Sequence, residues 1–373
     1  MKVVIVQRII PHYRIKVFEL LQEKLYSNGH ELIITYGNGE KTGSQINSKN
    51  MGNLIVKKIK TLSLKIKFNG VNFFMPLHYG LLRYLINEKP DIIITEGGKV
   101  NFFNIFKVYM YSKIAKKPYI MWVPGPLNKK KSFIKNLTNR LLEFFIKDCN
   151  AVIAYSSLAE EYLLNFKTKK YIFKAQNSIY VDTNKYNSEQ FVDKISNFKT
   201  RYNITGKKIV LYVGALEKRK KVDILIESLN LLNDENIVLL IIGDGPEKGY
   251  LKGLASINTI FLGKIIQDVE MFFKMCDLFV LPGQGGLSIN QAIAFEKPVI
   301  CGVSDGTEKD LIGGNGLIID DMNKDNLANS ICKVLGDSKK YKIMCDNSKK
   351  KYLETNIENM INVMYKAIIF SID

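Results

Sequence analysis

The stretch KIVLYVGALEKRKKVD, residues 208–223, decides the fold. Lys208–Val213 reads as a short buried strand, rich in β-branched and aromatic residues. Gly214 ends it, Lys218-Arg219-Lys220-Lys221 sets four cations in a row, and an apolar helical pattern runs over Val222–Leu232. A strand that turns through a glycine into a helix is half of a βαβ unit. In an open α/β sheet the carboxyl end of such a strand is where ligands bind. Lysine and arginine there can neutralise a diphosphate, arginine in a bidentate way. Charge runs are more often solvated surface, so this loop alone does not make a site.

The same rhythm continues outward. Ile237–Ile242, Thr259–Leu262, Leu278–Leu281 and Pro298–Cys301 read as strands, with a helix from Ile289. In the first half, strands are expected over Val3–Val6, Glu31–Tyr36, Asp91–Thr95, Tyr119–Val123 and Ala151–Ala154. Helices are expected over Arg14–Leu25, Pro76–Asn87, Phe102–Ala115 and Lys135–Lys147, with another from Leu158. Alternation of this kind implies two doubly wound, Rossmann-like α/β domains. The expected boundaries are 1–173, 174–340 and a helical tail 341–373 that packs toward the first domain. The break near Lys174 is set by a polar stretch without apolar periodicity.

At 373 residues there is enough chain for two ordinary cores. Five scattered cysteines without a C-x-x-C pair argue against a disulfide framework or zinc site and fit a reducing cytoplasm. The apolar run at Val3–Val6 is too short for a signal peptide, and no stretch approaches ~20 apolar residues. Residues 1–172 carry 28 Lys and Arg against 11 Asp and Glu, net +17, whereas residues 173–373 carry 26 against 25, net +1. So uneven a charge implies an anionic partner for the first half. Val56–Phe68 and Lys129–Lys147 interleave basic with apolar residues, a pattern suited to an anionic membrane surface. Nucleic acid is the rival partner, but no recognised binding motif accompanies the charge, so none is expected.

A second glycine-rich turn, Pro282-Gly283-Gln284-Gly285-Gly286, follows the strand Leu278–Leu281 and opens a helix through Leu287 and Ser288. Glycines let backbone approach a ligand, and a helix N-terminus favours phosphate. Ser288 and Gln291 also match a capping box, which is a structural reading of the same residues. Ile242-Gly243-Asp244-Gly245-Pro246 reads as a tight turn. The three histidines, His12, His30 and His78, show no metal-ligand spacing.

Taken together, Gly214–Asp223, Gly243–Pro246, Leu262-Gly263-Lys264-Ile265, Pro282–Gln291 and Pro298-Val299-Ile300 resemble, in order and spacing, the donor domain of glycosyltransferase family 4. The first half resembles, more loosely, the acceptor domain of its bacterial surface-polysaccharide members, through Val6–Arg8, Pro11–Arg14 and Ala151–Ser156. The resemblance implies a GT-B fold, two Rossmann-like domains facing across a cleft, and a retaining, metal-independent transfer. It implies Lys220 as the diphosphate-binding lysine, with Arg219 beside it, and donor contacts from Gly214, Gly285, Gly286, Leu287 and Ser288. Lys264 and Ile265 would frame the base, and Gln291 would meet a ribose hydroxyl. The family's arginine after the strand glycine is Ala215 here, and its two glutamates are Gly283 and Gln291.

No resident cofactor is expected, only a UDP- or GDP-linked sugar as co-substrate. Arg14, His12 and Glu96 are the acceptor-side candidates. The expected activity is sugar transfer to a glycan or lipid-linked acceptor in cell-surface polysaccharide (capsule or lipopolysaccharide) biosynthesis, at the inner face of the cell membrane. The alternative is a non-catalytic partner subunit of another transferase.

Overall fold

The computed structural model describes residues 1–39, 46–68, 71–125 and 133–372. Two units divide the chain: Met1–Tyr180 with Ile357–Asp373, and Val181–Asn356.

The first unit is built on β1 (Lys2–Val6), α1 (His12–Tyr26), β2 (Glu31–Tyr36), β3 (Val56–Lys58), β4 (Thr61–Phe68), β5 (Val71–His78) and α2 (Leu81–Glu88). It continues through β6 (Ile92–Glu96), α3 (Phe102–Ala115), β7 (Tyr119–Val123), α4 (Phe133–Asp148), β8 (Ala151–Ala154), α5 (Ser157–Leu163) and β9 (Ile172–Lys174). Seven strands form one parallel sheet in the order β3-β2-β1-β6-β7-β8-β9. Strands such as β7 and β8 are buried along their whole length, as expected for a sheet covered on both faces. The order reverses between β1 and β6, which makes their carboxyl ends a switch point.

The expected helix over Pro76–Asn87 is a correction. Pro76 and His78 belong to β5, paired antiparallel with β4, and α2 starts only at Leu81. The signal was present, since Asn69-Gly70, a strong hairpin dipeptide, lies between the two strands in sequence. Of the basic segments, residues 129–132 lie outside the described residues.

The second unit comprises α6 (Glu189–Arg201), β10 (Lys208–Val213), α7 (Val222–Leu232), β11 (Ile237–Ile242), α8 (Lys248–Leu254), β12 (Thr259–Gly263), α9 (Glu270–Met275) and β13 (Leu278–Leu281). It closes with α10 (Leu287–Ala294), β14 (Val299–Gly302), α11 (Thr307–Leu311), β15 (Gly316–Ile319), α12 (Lys324–Leu335) and α13 (Ser338–Thr355). Its parallel sheet has the order β12-β11-β10-β13-β14-β15, so the switch point lies between β10 and β13. The polar stretch beyond residue 178 contains α6, whose buried contact is Phe191 alone. One anchoring residue is too few to give a visible period.

The tail divides between the units. α13 stays with the second, while α14 (Ile357–Phe370) enters the core of the first. There Met360, Met364 and Ile368 are buried among Val17, Phe18 and Leu21 of α1 and residues of the sheet. Phe370 stacks against Tyr171 and Phe173, with centroids 5.7 and 5.3 Å away. The division falls at Tyr180 and Asn356, later at both ends than the residues 173 and 340 read from sequence.

Candidate active site

The two glycine-bearing loops singled out from sequence leave adjacent strands, β10 and β13, at the switch point of the second sheet. Backbone hydrogen bonds fasten the neighbouring loops together. Gly214 N–H donates to the Ile242 carbonyl (3.0 Å), Leu216 N–H to Asp244 (3.0 Å), and Gln284 N–H to Arg219 (3.3 Å). The Gly-Asp-Gly turn therefore braces the Gly214 loop.

Lys218–Lys220 form one turn of 3-10 helix, and Lys221, in the left-handed region at φ 51°, redirects the chain into α7. This aims Lys220 at the second loop, where its ammonium donates to the Gln284 carbonyl. A Cβ on Gly285, whose φ is +151°, would stand 2.8 Å from Lys220 Nζ. Glycine is required here by the backbone conformation, whereas the lysine head, at the end of a flexible side chain, could shift. Gly283 is tighter still, for a Cβ would meet the Arg219 carbonyl oxygen at 2.3 Å and the Lys220 carbonyl carbon at 2.5 Å. The family's first glutamate has no place on this backbone, because the two loops touch where its side chain would start.

Burial pushes the Lys220 ammonium below the usual lysine value and the Arg219 charge adds to this, while Glu217 and Asp305 oppose it. An ammonium in that state is stabilised by an incoming dianion. Arg219 is exposed and paired with Glu217 at 2.6 Å. Lys264 and Ile265 follow β12, Lys264 exposed and Ile265 half-buried.

The capping box is a second correction. Gly286 is the N-cap of α10, none of the described side chains caps it, and Ser288 lies inside the helix. Leu287 and Ser288 thus occupy the first turn, where N–H groups and the helix dipole converge. Gln291 turns sideways instead, and its Nε2 donates to Glu270 Oε1 at 3.2 Å. Sequence reading also missed Glu308, almost wholly buried. Its carboxylate accepts from Ser304 N–H (2.9 Å) and Gly306 N–H (3.0 Å), and Ser304 Oγ accepts from Gly285 N–H (3.1 Å). An acid two residues after Gly306, in the first turn of α11, was the available signal.

In the first unit, Glu96 ends β6 and pairs with Arg8 across the switch point at 2.7 Å. Arg14 sits in the first turn of α1 and is buried. It donates to Asn177 Oδ1 (2.7 Å) and lies 4.8 Å from the Trp122 ring and 5.5 Å from Tyr155. It ties α1 to the segment after β9. His12 opens α1, exposed, with its ring edge-on to Tyr13 at 5.7 Å. Among the described residues no three His, Cys, Asp or Glu side chains group as metal ligands, and no helix is long and apolar enough to cross a membrane.

Residues 181–351 match the family model for glycosyl transferases group 1. The uncharacterized glycosyltransferase MJ1607 of Methanocaldococcus jannaschii is 25% identical over 93% of this chain and 92% of its own. A GDP-mannose-dependent alpha-mannosyltransferase of Corynebacterium glutamicum is 36% identical over 36% of this chain and 33% of its own. Among solved structures, Anabaena HepE in complex with UDP superposes with a TM-score of 0.74 at 16% identity, covering 99% of this chain and 100% of that one. The likeness to HepE carries the fold, and the family match covers residues 181–351. The chain has the GT-B fold of two Rossmann-like units, and its residues 181–351 match the group 1 glycosyl transferases.

Proposed function

We propose that this enzyme transfers a sugar with retention of configuration from a UDP- or GDP-linked donor to a lipid-linked glycan in cell-surface polysaccharide synthesis. The observation that carries the reading is Lys220, half-buried and aimed at the glycine loop that opens α10. A departing diphosphate seated there meets one ammonium and a helix N-terminus. Both stabilise charge that grows as the glycosidic bond breaks. Such a transfer needs no protein nucleophile and depends on orientation. HepE with UDP and with UDP-glucose, and the GDP-mannose-dependent relative, support a nucleotide-sugar donor without choosing between bases.

The lipid-linked acceptor is supported by the outer face of α3 and α4. Phe103, Phe106, Leu141 and Phe144 are exposed there. Phe106 and Phe144 both flank Phe145, at 6.4 and 5.7 Å. Lys107, Lys113, Arg140 and Lys147 lie on the same helices, within the half that carries net +17. Apolar rings among cations suit an anionic lipid surface at the inner face of the membrane.

The test is a panel of UDP- and GDP-sugars with a lipid-linked glycan, the product anomer being read by NMR. Transfer with retention is expected, and Lys220→Ala should abolish it while the fold survives. If no donor binds at all, the non-catalytic subunit reading replaces this one; an inverted product would remove the retaining mechanism.

A further inference from the structure

Buried polar atoms without partners gather at the carboxyl edge of the first unit's sheet. Side chains alternate along a strand, and Val3, Ile5, Ile94, Trp122 and Ile153 share one core with Val17 and Phe18 of α1. The same alternation carries Gln7, Glu96 and Tyr155 onto that face, at or just past the ends of β1, β6 and β8. Glu96 stands opposite Trp122 in the strand register, and Tyr155 N–H donates to the Val123 carbonyl at 3.1 Å, so the row crosses adjacent strands. Arg14 lies over it. Its guanidinium carbon is 4.8 Å from the Trp122 ring and 5.5 Å from Tyr155, and the two rings are 4.9 Å apart.

Arg14 Nη1, Trp122 Nε1, Gln7 Nε2 and both amide atoms of Gln176 are buried with no hydrogen-bond partner in the protein. Arg14 is 6% exposed, Trp122 0% and Gln176 9%. Burying such groups unpaired is costly, most of all for a charge, so each calls for an explanation. The set consists mainly of donors, and one of them is a cation. Arg14 Nη2 donates to Asn177 Oδ1, a neutral amide, at 2.7 Å. Glu96, the acid of the row, is held by Arg8 through Nε and Nη2 at 3.1 and 2.7 Å. Among the described residues no carboxylate pairs with Arg14, whose single positive charge one carboxylate would balance and a phosphate dianion would exceed.

Resting on the reading of a glycan acceptor above, we propose that Arg14, Trp122 and Gln176 bind the carboxylate of an acidic sugar, a uronic acid, in that acceptor. Arg14 Nη1 and the indole N–H donate to the carboxylate, as a guanidinium does to a planar anion. Gln176, with one donor and one acceptor end, meets a neighbouring sugar hydroxyl. Tyr13, exposed and 5.7 Å from the guanidinium carbon, offers its ring to the sugar face. A neutral sugar would leave the buried cation unbalanced, so the site selects for charge.

Trp122 is the only tryptophan of the chain, so its indole N–H gives a single signal in a nitrogen–proton correlation spectrum. The experiment titrates methyl glucuronide, methyl glucoside and inorganic phosphate into the full chain, with and without UDP or GDP, and follows that signal. Methyl glucuronide should shift it saturably, and the other two should bind at least about tenfold more weakly, the value of a hydrogen bond to a charged group. Arg14→Gln should weaken glucuronide binding by about tenfold and remove the preference over glucoside. Because Arg14 is buried, a second variant covers loss of the fold. Gln176→Met exchanges an unpaired amide for an apolar chain of similar length; it should melt no lower than wild type yet bind glucuronide about threefold more weakly. A signal that glucuronide leaves in place, or that glucoside moves equally, overturns the proposal. So does tighter binding of phosphate, or a glucuronide affinity unchanged in both variants. Calorimetry of UDP and GDP on the same samples separates the two readings. Nucleotide binding without glucuronide binding removes the carboxylate site alone, and glucuronide binding without nucleotide binding removes the donor reading alone.

Discussion

Gly283 separates two kinds of reasoning, because resemblance and geometry predict opposite outcomes there. Related donor domains carry glutamate at this position, so Gly283→Glu would by analogy add a sugar contact. The backbone forbids it. A Cβ at Gly283 stands 2.3 Å from the Arg219 carbonyl oxygen and 2.5 and 2.6 Å from the carbonyl carbon and Cα of Lys220, where ordinary contact starts at 3.4 Å. All three are backbone atoms, so relief requires the loops to part by about 1 Å. Separation on that scale disrupts the Gln284-to-Arg219 hydrogen bond and moves the Lys220 ammonium off the Gln284 carbonyl.

Overpacking of this kind costs ~1–3 kcal/mol. In a unit spanning Val181–Asn356 each kcal/mol lowers the melting temperature by about 2–4 °C. The effect on chemistry is larger, since misplacing a positioning group by an ångström costs about 100-fold in rate. Gly283→Ala should therefore melt several degrees early, bind the nucleotide weakly, and transfer at about a hundredth of the wild-type rate. Gly283→Glu should be no better than Gly283→Ala in all three respects. Calorimetry, a thermal melt and the transfer assay read these out. A Gly283→Glu enzyme that gains activity, or a Gly283→Ala enzyme that matches wild type, would refute the argument that the loops touch.

Three further outcomes are expected. Glu308→Ala strands the buried N–H groups of Ser304 and Gly306, at ~1–3 kcal/mol each, and frees the Ser304 hydroxyl from its place on Gly285; a lowered melting temperature with weakened nucleotide binding checks this, and wild-type values for both would sink it. Because burial lowers the Lys220 ammonium, nucleotide affinity should decline on the alkaline side at a pH below the usual lysine range, as the proton that attracts the diphosphate is lost; calorimetry across pH 7 to 10 on wild type and Lys220→Arg reads the shift, and superimposable profiles would count against it. His78 is fully buried, and burial followed by the Lys107 charge pushes its imidazole down to about 4. The unfolded chain takes up that proton near the ordinary value and the folded chain does not. Stability contributed by the neutral ring is thus complete above about pH 6.5 and lost as pH falls toward 4, by up to about 3 kcal/mol. Urea melts of wild type and His78→Gln at pH 7 and pH 4.5 should diverge by that difference; parallel behaviour would exclude it.

Most strands were legible because a doubly wound sheet writes each one as a bounded run of Ile, Val and Leu. Tyr119–Val123, Ile237–Ile242 and Leu278–Leu281 were read with the bounds they have. The antiparallel pair β4 and β5 was not, since β5 mixes aromatic residues with Pro76 instead of forming a bounded aliphatic run. The two loops of the candidate site were legible as well. Gly214, Lys220, Gly285 and Gly286 each lie next to the strand end that positions them.

What the sequence determined alone was therefore local: the strand-glycine-helix units, the cationic loop, and the imbalance of charge between the halves. Tertiary structure decided everything that depends on partners far apart in the chain. It turned Gly283 from a missing acid into the point where two loops meet. It converted a capping box at Ser288 and Gln291 into an uncapped helix, with Gln291 drawn sideways to Glu270, and it joined Arg14 to Asn177. The physical reason is that side-chain orientation follows from the neighbour that satisfies it. Those neighbours lie 21 residues away for Gln291, 64 for Lys220 and 163 for Arg14, distances over which no periodicity in the sequence carries information.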